Sequence, residues 1–196
     1  MEPDPFRDID VGTERIGIRP LSMDDAEDLH AIVSNERVVE FLPEDVMSRE
    51  ETERILEWLI NCYDRNTPER ILKFTTAVIL RETGKLIGWC GLGPLDFDES
   101  EIEIYFGLSP EHWGKGIATE AGTSMLQYGF RRLGLDRIVA VVQPRNIASR
   151  RVLEKLGMVY RRTVSGLKPE HAFYEGSLYF DLVRKQPANR AERAQP

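Results

Sequence analysis

The feature that most constrains this chain is a pair of glycines, Gly114 and Gly116, placed between an extended segment and a helical one. Residues 101–108 alternate polar and apolar side chains, which predicts a strand. Small and apolar residues from 118 to 133 recur at the spacing of one helix face, which predicts a helix that ends at Gly134. The glycine pair therefore lies in a loop that leads from a strand into a helix.

A second strand is expected directly after this helix. Residues 137–142 form a nearly continuous apolar run, the pattern of a strand covered on both faces. A strand, a helix and a strand in this order predict a parallel crossover. The first amides of a helix have no partner within it and carry partial positive charge, so residues 114–119 offer donors to a phosphate group.

Two other glycine-loop sites are excluded by local sequence. A dinucleotide-binding fingerprint needs glycine or alanine where Thr119 stands, and its loop follows the strand at once. A nucleotide-binding P-loop needs serine or threonine after its lysine, whereas Lys115 is followed by Gly116. A plain glycine turn remains the alternative to a phosphate site.

The rest of the chain predicts an α+β fold, a central mixed and largely antiparallel sheet flanked by helices. We expect an N-terminal extension over 1–12, one domain over 13–183 and a mobile tail over 184–196. The remaining predicted strands cover residues 13–21, 74–80, 86–95, 159–164 and 172–183. The remaining predicted helices cover residues 24–33, 35–39 and 146–156, and one more begins at a capping box over 48–51.

Composition narrows the possible partners. With 196 residues, 41% of them hydrophobic, the chain can bury one substantial core. Its net charge of -7 disfavours nucleic-acid binding and favours cationic groups such as amines. Cys62 and Cys90 have no metal-ligand spacing, which indicates a reducing compartment and no metal. The sequence shows no signal segment and no membrane-length apolar run, so we expect a cytoplasmic protein without a membrane partner.

Two segments carry a resemblance to a known family. The stretch 113–121, Trp-Gly-Lys-Gly-Ile-Ala-Thr-Glu-Ala, resembles the Gln/Arg-x-x-Gly-x-Gly/Ala motif of the GNAT superfamily of acetyl-coenzyme A-dependent N-acetyltransferases, with Trp113 at its first position. This version is similar to the branch of the RimJ and RimL ribosomal-protein acetyltransferases. Residues 146–158 are similar to the family's Asn-x-x-Ser…Glu-Lys-Leu-Gly-Phe segment. The resemblance covers residues 14–183 and implies a GNAT fold with acetyl-coenzyme A as co-substrate.

The resemblance also implies a set of cofactor-binding residues. The diphosphate is expected on the loop and helix start, and the pantetheine arm on the backbone of a strand that parts from its parallel neighbour. Asn146 is expected to bond the pantetheine amides, with helix capping as the alternative. The implied residues are Phe106, Gly107, Leu108, Trp113, Gly114, Lys115, Gly116, Ile117, Ala118, Thr119, Asn146 and Ser149.

Two side chains are predicted to act in catalysis. Glu103 matches the acidic position of the family's strand and is expected to accept the amine proton, directly or through water. It shares a strand face with Glu101, and a solvated surface is the alternative. The tyrosine acid of many GNAT enzymes is replaced by Leu153, so Ser149 is expected to donate a hydrogen bond to the departing sulfur, with capping as its alternative.

We expect direct acetyl transfer to a primary amine. The RimJ/RimL resemblance favours a protein N-terminal α-amino group, and a small amine, antibiotic or polyamine remains an alternative. A non-catalytic acyl-coenzyme A sensor is the alternative from another class of protein. The segment 41–47 is expected to border the acceptor pocket or to be an acidic surface loop, and the chain to be a monomer or homodimer.

Overall fold

A computed structural model describes residues 3–184, so the predicted tail lies outside the described residues except for Arg184. Within these residues the chain forms five α-helices and eight strands. The helices are α1 (Ala26–Val33), α2 (Glu36–Val39), α3 (Arg49–Tyr63), α4 (Ile117–Arg131) and α5 (Ile147–Lys155). The strands are β1 (Val11–Gly12), β2 (Ile16–Pro20), β3 (Phe74–Leu80), β4 (Leu86–Leu95), β5 (Asp98–Leu108), β6 (Arg137–Val142), β7 (Val159–Thr163) and β8 (Leu178–Val183).

The eight strands form one mixed sheet in the order β1-β2-β3-β4-β5-β6-β8-β7. Strands β1 to β5 run antiparallel to their neighbours, and β5 pairs with β6 in parallel. The chain reaches β6 through α4, which is the crossover that the sequence predicts. The predicted α+β fold with a mixed, largely antiparallel sheet is confirmed.

The main core lies between α4 and the sheet. The helix buries its small and apolar face, including Ala121 and Met125, against the apolar side of β5 and β6. Phe6 and Ile9 also join this core, with about 2% of each residue exposed. The hydroxyl of Tyr128 on α4 donates to the carbonyl of Pro5 at 2.5 Å. The segment predicted as an N-terminal extension therefore contributes side chains to the core.

Helices α1 and α3 cover the opposite face of the sheet. They enclose a second core around Leu56 and Ala77. Helix α3 begins at the predicted capping box, in which the Ser48 backbone amide donates to the Glu51 carboxylate at 2.8 Å. No helix in residues 3–184 combines the length and hydropathy needed to span a membrane.

Two predicted strands differ from the observed ones. The first, predicted over 13–21, is observed as β2 over Ile16–Pro20, because residues 13–15 form a turn that pairs β2 with the short strand β1 before it. The last begins at Leu178, six residues later than predicted, because Pro169–Tyr174 forms a 3-10 turn. Gly176 follows this turn at a φ of 80°, a conformation that interrupts a strand.

Candidate active site

The loop between β5 and α4 needs both of its glycines for backbone reasons. Gly114 and Gly116 adopt φ angles of 72° and 80°, in the left-handed region that side chains disfavour. Gly116 is also the N-cap of α4. A Cβ added at Gly114 would meet nothing within 4 Å, so the loop leaves open space beside its backbone.

Five consecutive backbone amides at this loop are free to bind a ligand. Among the hydrogen bonds of residues 3–184, none is donated by the amides of residues 114–118. The amide of Thr119, expected to join them, donates instead to the carbonyl of Gly116 at 3.1 Å. Unpaired amides at the positive end of a helix form an anion site, so residues 114–118 can hold a diphosphate.

Hydrogen bonds from Arg15 and Thr13 hold this loop and the first turn of α4 in place. Arg15, at the turn between β1 and β2, donates through Nη2 to the carbonyl of Lys115 at 3.0 Å and through Nε to Oε1 of Glu120 at 2.8 Å. Thr13 Oγ1 donates to the other oxygen of Glu120 at 2.6 Å. The carbonyl of Lys115 is thereby occupied by Arg15. The sequence does not predict the ion pair between Arg15 and Glu120, because 105 residues separate them.

A cavity of about 470 Å³ lies beside the same loop. Arg15, Gly116 and Thr119 line one part of it, and Lys155 at the end of α5 lines another. Glu120, the ion-pair partner of Arg15, also lines the cavity, so Lys155 is the cation there that is available for a further anionic group of a ligand bound at the loop.

Strands β5 and β6 part immediately beyond their pairing point. Their parallel pairing consists of one position, Glu103 with Val139. Beyond it, β5 stays paired with β4 as far as Leu108, and β6 stays paired with β8 as far as Val142. The facing edges of residues 104–108 and 140–142 therefore have no strand partner within the described residues. Phe106, Gly107 and Leu108, predicted to hold the pantetheine arm, all lie along this gap.

Trp113 and Gly107 have roles that the sequence did not predict. The indole Nε1 of Trp113 donates to the carbonyl of Leu108 at 2.7 Å, and the guanidinium of Arg37 lies 5.0 Å from the Trp113 ring centroid. Trp113 thus joins the loop to the end of β5. At Gly107, a Cβ would come within 2.3 Å of Trp89 on β4, so this glycine makes room for an indole.

Glu103 and Glu101 share a face of β5 but differ in their surroundings. Glu101 accepts a hydrogen bond from Arg137 at 2.7 Å. Glu103 is half-buried and has no hydrogen-bond or ion-pair partner in residues 3–184. Loss of solvation raises the pKa of the Glu103 carboxyl to about 8.

Polar and aromatic side chains that the sequence analysis did not assign surround Glu103. The hydroxyl of Tyr105 lies 2.8 Å from Oγ1 of Thr75, and Nζ of Lys73 lies 4.2 Å from the Tyr105 ring centroid. Tyr174, in the 3-10 turn before β8, donates its hydroxyl to Asp96. Asp96 raises the pKa of Glu103, and the positive charge of Lys73 lowers it.

The segment 41–47 lies beside this acidic face. It forms a cavity of about 430 Å³ with α3, lined on the α3 side by Ile55 and Trp58. Glu44, in the same segment, is near enough to Glu103 to raise its pKa by charge repulsion. The cavity thus combines apolar side chains with the carboxylates of Glu44, Asp45 and Glu51 and the guanidinium of Arg54.

The start of α5 lies beyond the end of β6. Asn146 caps the helix, since its Oδ1 accepts from the backbone amide of Ser149 at 3.0 Å. This arrangement leaves the Nδ2 group of Asn146 and the Oγ of Ser149 without hydrogen bonds to residues 3–184. Leu153 is about 2% exposed within the core, so the position of the family's tyrosine acid holds a packing residue.

Both cysteines are buried in the described structure. Burial raises the pKa of the Cys90 thiol to about 12, which leaves it without nucleophilic thiolate at neutral pH. No group of His, Cys, Asp and Glu side chains within residues 3–184 is arranged to hold a metal ion.

Comparison with known proteins gives consistent matches along most of the chain. Residues 15–159 match the family described as the acetyltransferase (GNAT) domain. The curated Uncharacterized N-acetyltransferase p20 of Bacillus licheniformis is 33% identical over 144 residues, which are 74% of this chain and 79% of that protein. Spermidine N(1)-acetyltransferase of Escherichia coli strain K12 is 25% identical over 169 residues, 86% of this chain and 83% of that protein.

A solved structure gives the same result for the fold. The GNAT-family acetyltransferase from Bacillus anthracis superimposes with a TM-score of 0.73 at 28% identity, over 89% of this chain and 98% of that one. A parted strand pair next to free helix-start amides is the arrangement of an acyl-coenzyme A-dependent transferase. The match over residues 15–159 is more specific, and the chain belongs to the GNAT acetyltransferase family, whose members use acetyl-coenzyme A. The predicted family and enzyme class are confirmed.

Proposed function

We propose that this N-acetyltransferase moves the acetyl group of acetyl-coenzyme A directly to a primary amine in the gap between β5 and β6. The observation that carries this proposal is the single paired position, Glu103 with Val139. It leaves backbone groups on both sides of the gap available next to the five free amides of residues 114–118.

These backbone groups provide a binding path for the donor. Amides 114–118 hold the diphosphate, and the pantetheine arm runs along residues 106–108 as an added strand would. The Nδ2 group of Asn146, at the start of α5 beyond the end of β6, donates a hydrogen bond to a carbonyl of the arm in this proposal. Backbone amides beside the thioester carbonyl stabilise the charge that develops on its oxygen.

Glu103 acts as the general base in this proposal. Amines of pKa about 8 to 10.4 are mostly protonated at neutral pH, so a proton must leave before nitrogen attacks the thioester carbon. A carboxyl with a pKa of about 8 matches this task better than an exposed one. The new C–N bond forms as the C–S bond breaks, and the Ser149 hydroxyl donates a hydrogen bond to the departing thiolate.

Two classes of acceptor follow from different features. The RimJ/RimL resemblance of residues 113–121 favours a protein N-terminal α-amino group, and the apolar groove beside Trp58 suits the side chains that follow such a terminus. The acidic groups Glu44, Asp96 and Glu103 instead favour a small amine with further positive charge. The relationship to spermidine N(1)-acetyltransferase supports this second candidate.

An acceptor screen tests both the enzyme class and the acceptor. Free thiol release from acetyl-coenzyme A is followed with peptides of varied N-terminal residue, spermidine, and lysine derivatives blocked at either amine. Turnover with peptides that is lost on N-terminal blocking supports the first candidate, and turnover confined to polyamines supports the second. Tight binding of acetyl-coenzyme A without turnover in any of these amines would favour a sensor and contradict the proposal.

A further inference from the structure

Lys73 occupies a space in the sheet that a missing side chain provides. Gly93 on β4 lies opposite Glu103 on β5 in the antiparallel register. A Cβ added at Gly93 would come within 3.0 Å of Cδ of Lys73 and 3.5 Å of Cε1 of Tyr105. Since directly opposed side chains in such a pair lie about 4.5–5.5 Å apart, the Lys73 stem takes the position facing Glu103.

Two contacts fix Lys73 at this position. Its ammonium lies 4.2 Å from the Tyr105 ring centroid, within the range of a cation–π interaction. Its backbone is held by the buried Asn66, whose Nδ2 donates to the Lys73 carbonyl at 2.9 Å and whose Oδ1 accepts from the amide of Leu72 at 2.7 Å. The position of this cation is therefore built into the fold.

The charged groups around Glu103 differ in sign. Asp96 from the turn between β4 and β5 and Glu44 from the segment before α3 both act on it as negative charges. Tyr105 on β5 and Tyr174 on the 3-10 turn are neutral at physiological pH, because burial raises the pKa of both phenols. Lys73 is the cation among the described groups that opposes the two carboxylates.

We propose that Lys73 is a positioning residue for the acetyl transfer: its ammonium, held over Tyr105 and facing Glu103, stabilises the ionised form of the Glu103 carboxyl, which is the form that accepts the amine proton. This inference rests on the proposed function, since it assigns Lys73 a role through the base. It also makes a claim about Glu103 in the free protein that needs no acceptor.

The direct test is a titration of the Glu103 carboxyl by NMR, with ¹³C-labelled glutamate side chains and the signal assigned by its loss in Glu103→Gln. Lys73→Met keeps the length of the stem and removes the charge, and we expect the Glu103 titration midpoint to rise by about one pH unit. Lys73→Arg should keep the wild-type midpoint. Gly93→Ala, which displaces the stem without removing charge, should shift it in the same direction by less.

Lys85→Met is the matched control, because Lys85 precedes β4 at the end of the strand remote from Gly93. This variant should leave the midpoint unchanged. With an acceptor from the screen, the apparent pKa of the acid limb of the kcat/KM pH profile should also rise by about one unit in Lys73→Met. The rate at high pH should be retained. Thermal melts of each variant confirm that it is folded.

An unshifted Glu103 midpoint in folded Lys73→Met would overturn the role of Lys73 and leave the base assignment intact. An unchanged pH profile in Glu103→Gln would instead remove the base, and with it the role of Lys73. A shift of equal size in Lys85→Met would show a general charge effect and also contradict the inference.

Discussion

Substitution of Gly116 by valine tests whether the start of α4 holds the diphosphate. Gly116 has a φ of 80°, where a side chain costs about 1–2 kcal/mol. A Cβ there would lie 3.6 Å from Nη2 of Arg15, which is ordinary contact, so we expect Gly116→Val to fold with reduced stability. Each kcal/mol lost lowers Tm by about 2–4 °C for a chain of this size.

Gly116→Val should weaken coenzyme A binding by more than the backbone strain at position 116 explains. A valine side chain at the loop separates the diphosphate from at least one of the amides 114–118. A hydrogen bond to a charged group contributes about 1.5–3 kcal/mol, so its loss should raise the Kd of coenzyme A by about tenfold or more. Isothermal titration calorimetry with coenzyme A measures this change without an acceptor.

Gly134→Val provides a matched control at the other end of α4. Gly134 has a φ of 71°, and a Cβ there would meet nothing within 4 Å, so the backbone penalty is similar. We expect a similar fall in Tm with an unchanged Kd for coenzyme A. The reasoning would be refuted by an unchanged Kd in Gly116→Val, or by equal weakening of binding in both variants.

Substitutions at positions 103 and 107, each with a companion variant, test the face of β5 opposite the main core. Glu103→Gln should lower kcat by about a hundredfold or more with an unchanged Kd for coenzyme A, whereas Glu101→Gln should change kcat by at most a few-fold in steady-state assays. Folding raises the pKa of Glu103, so the folded wild type binds more protons than the unfolded chain from about pH 4.3 to about 8. The wild type therefore loses stability as the pH rises through this window, and Glu103→Gln does not. Denaturant unfolding should show Glu103→Gln becoming more stable relative to the wild type over the same range. Gly107→Ala should destabilise the protein by about 1–3 kcal/mol through its clash with the Trp89 indole, and Trp89→Leu should relieve part of that cost in the double variant.

Either of two results would contradict these expectations. A Glu103→Gln variant whose stability follows the wild type across the pH range would show that the carboxyl is not desolvated in the fold. Additive losses in the double variant at positions 107 and 89 would show that the indole is not what excludes a side chain from Gly107.

The sequence predicts best those parts of the site that are local in the chain. Strand alternation before the loop, helical periodicity after it and the apolar run of β6 place one crossover without knowledge of any other strand. The glycine pair then marks the loop, because a left-handed backbone leaves a compositional signature. The late strand begins later than the sequence predicts, since the apolar run 172–174 lies in a 3-10 turn between Pro169 and Gly176.

The missed residues depend on sheet order and register. Lys73 comes to face Glu103 because β3, β4 and β5 are neighbours and Gly93 falls opposite position 103. Arg15 meets the loop because the turn after β1 lies beside the start of α4. No periodicity sets such pairings. The two glycines of β4 at 91 and 93 are the available signal, since glycines two apart in a strand indicate room for neighbouring side chains.

The short pairing with β6 and the desolvated carboxyl of Glu103 lie next to each other on β5, and their proximity is an argument for the proposed chemistry. A sheet selected for stability alone would continue its pairing with β6 beyond Val139 and would hold an apolar side chain at position 103. Here the last paired position is Glu103 itself, a desolvated carboxyl, and the unpaired edge starts at the next residue. Donor and acceptor must meet within bonding distance for acyl transfer. One strand that presents a base on its face and an open edge directly beyond it brings the two substrates to the same point.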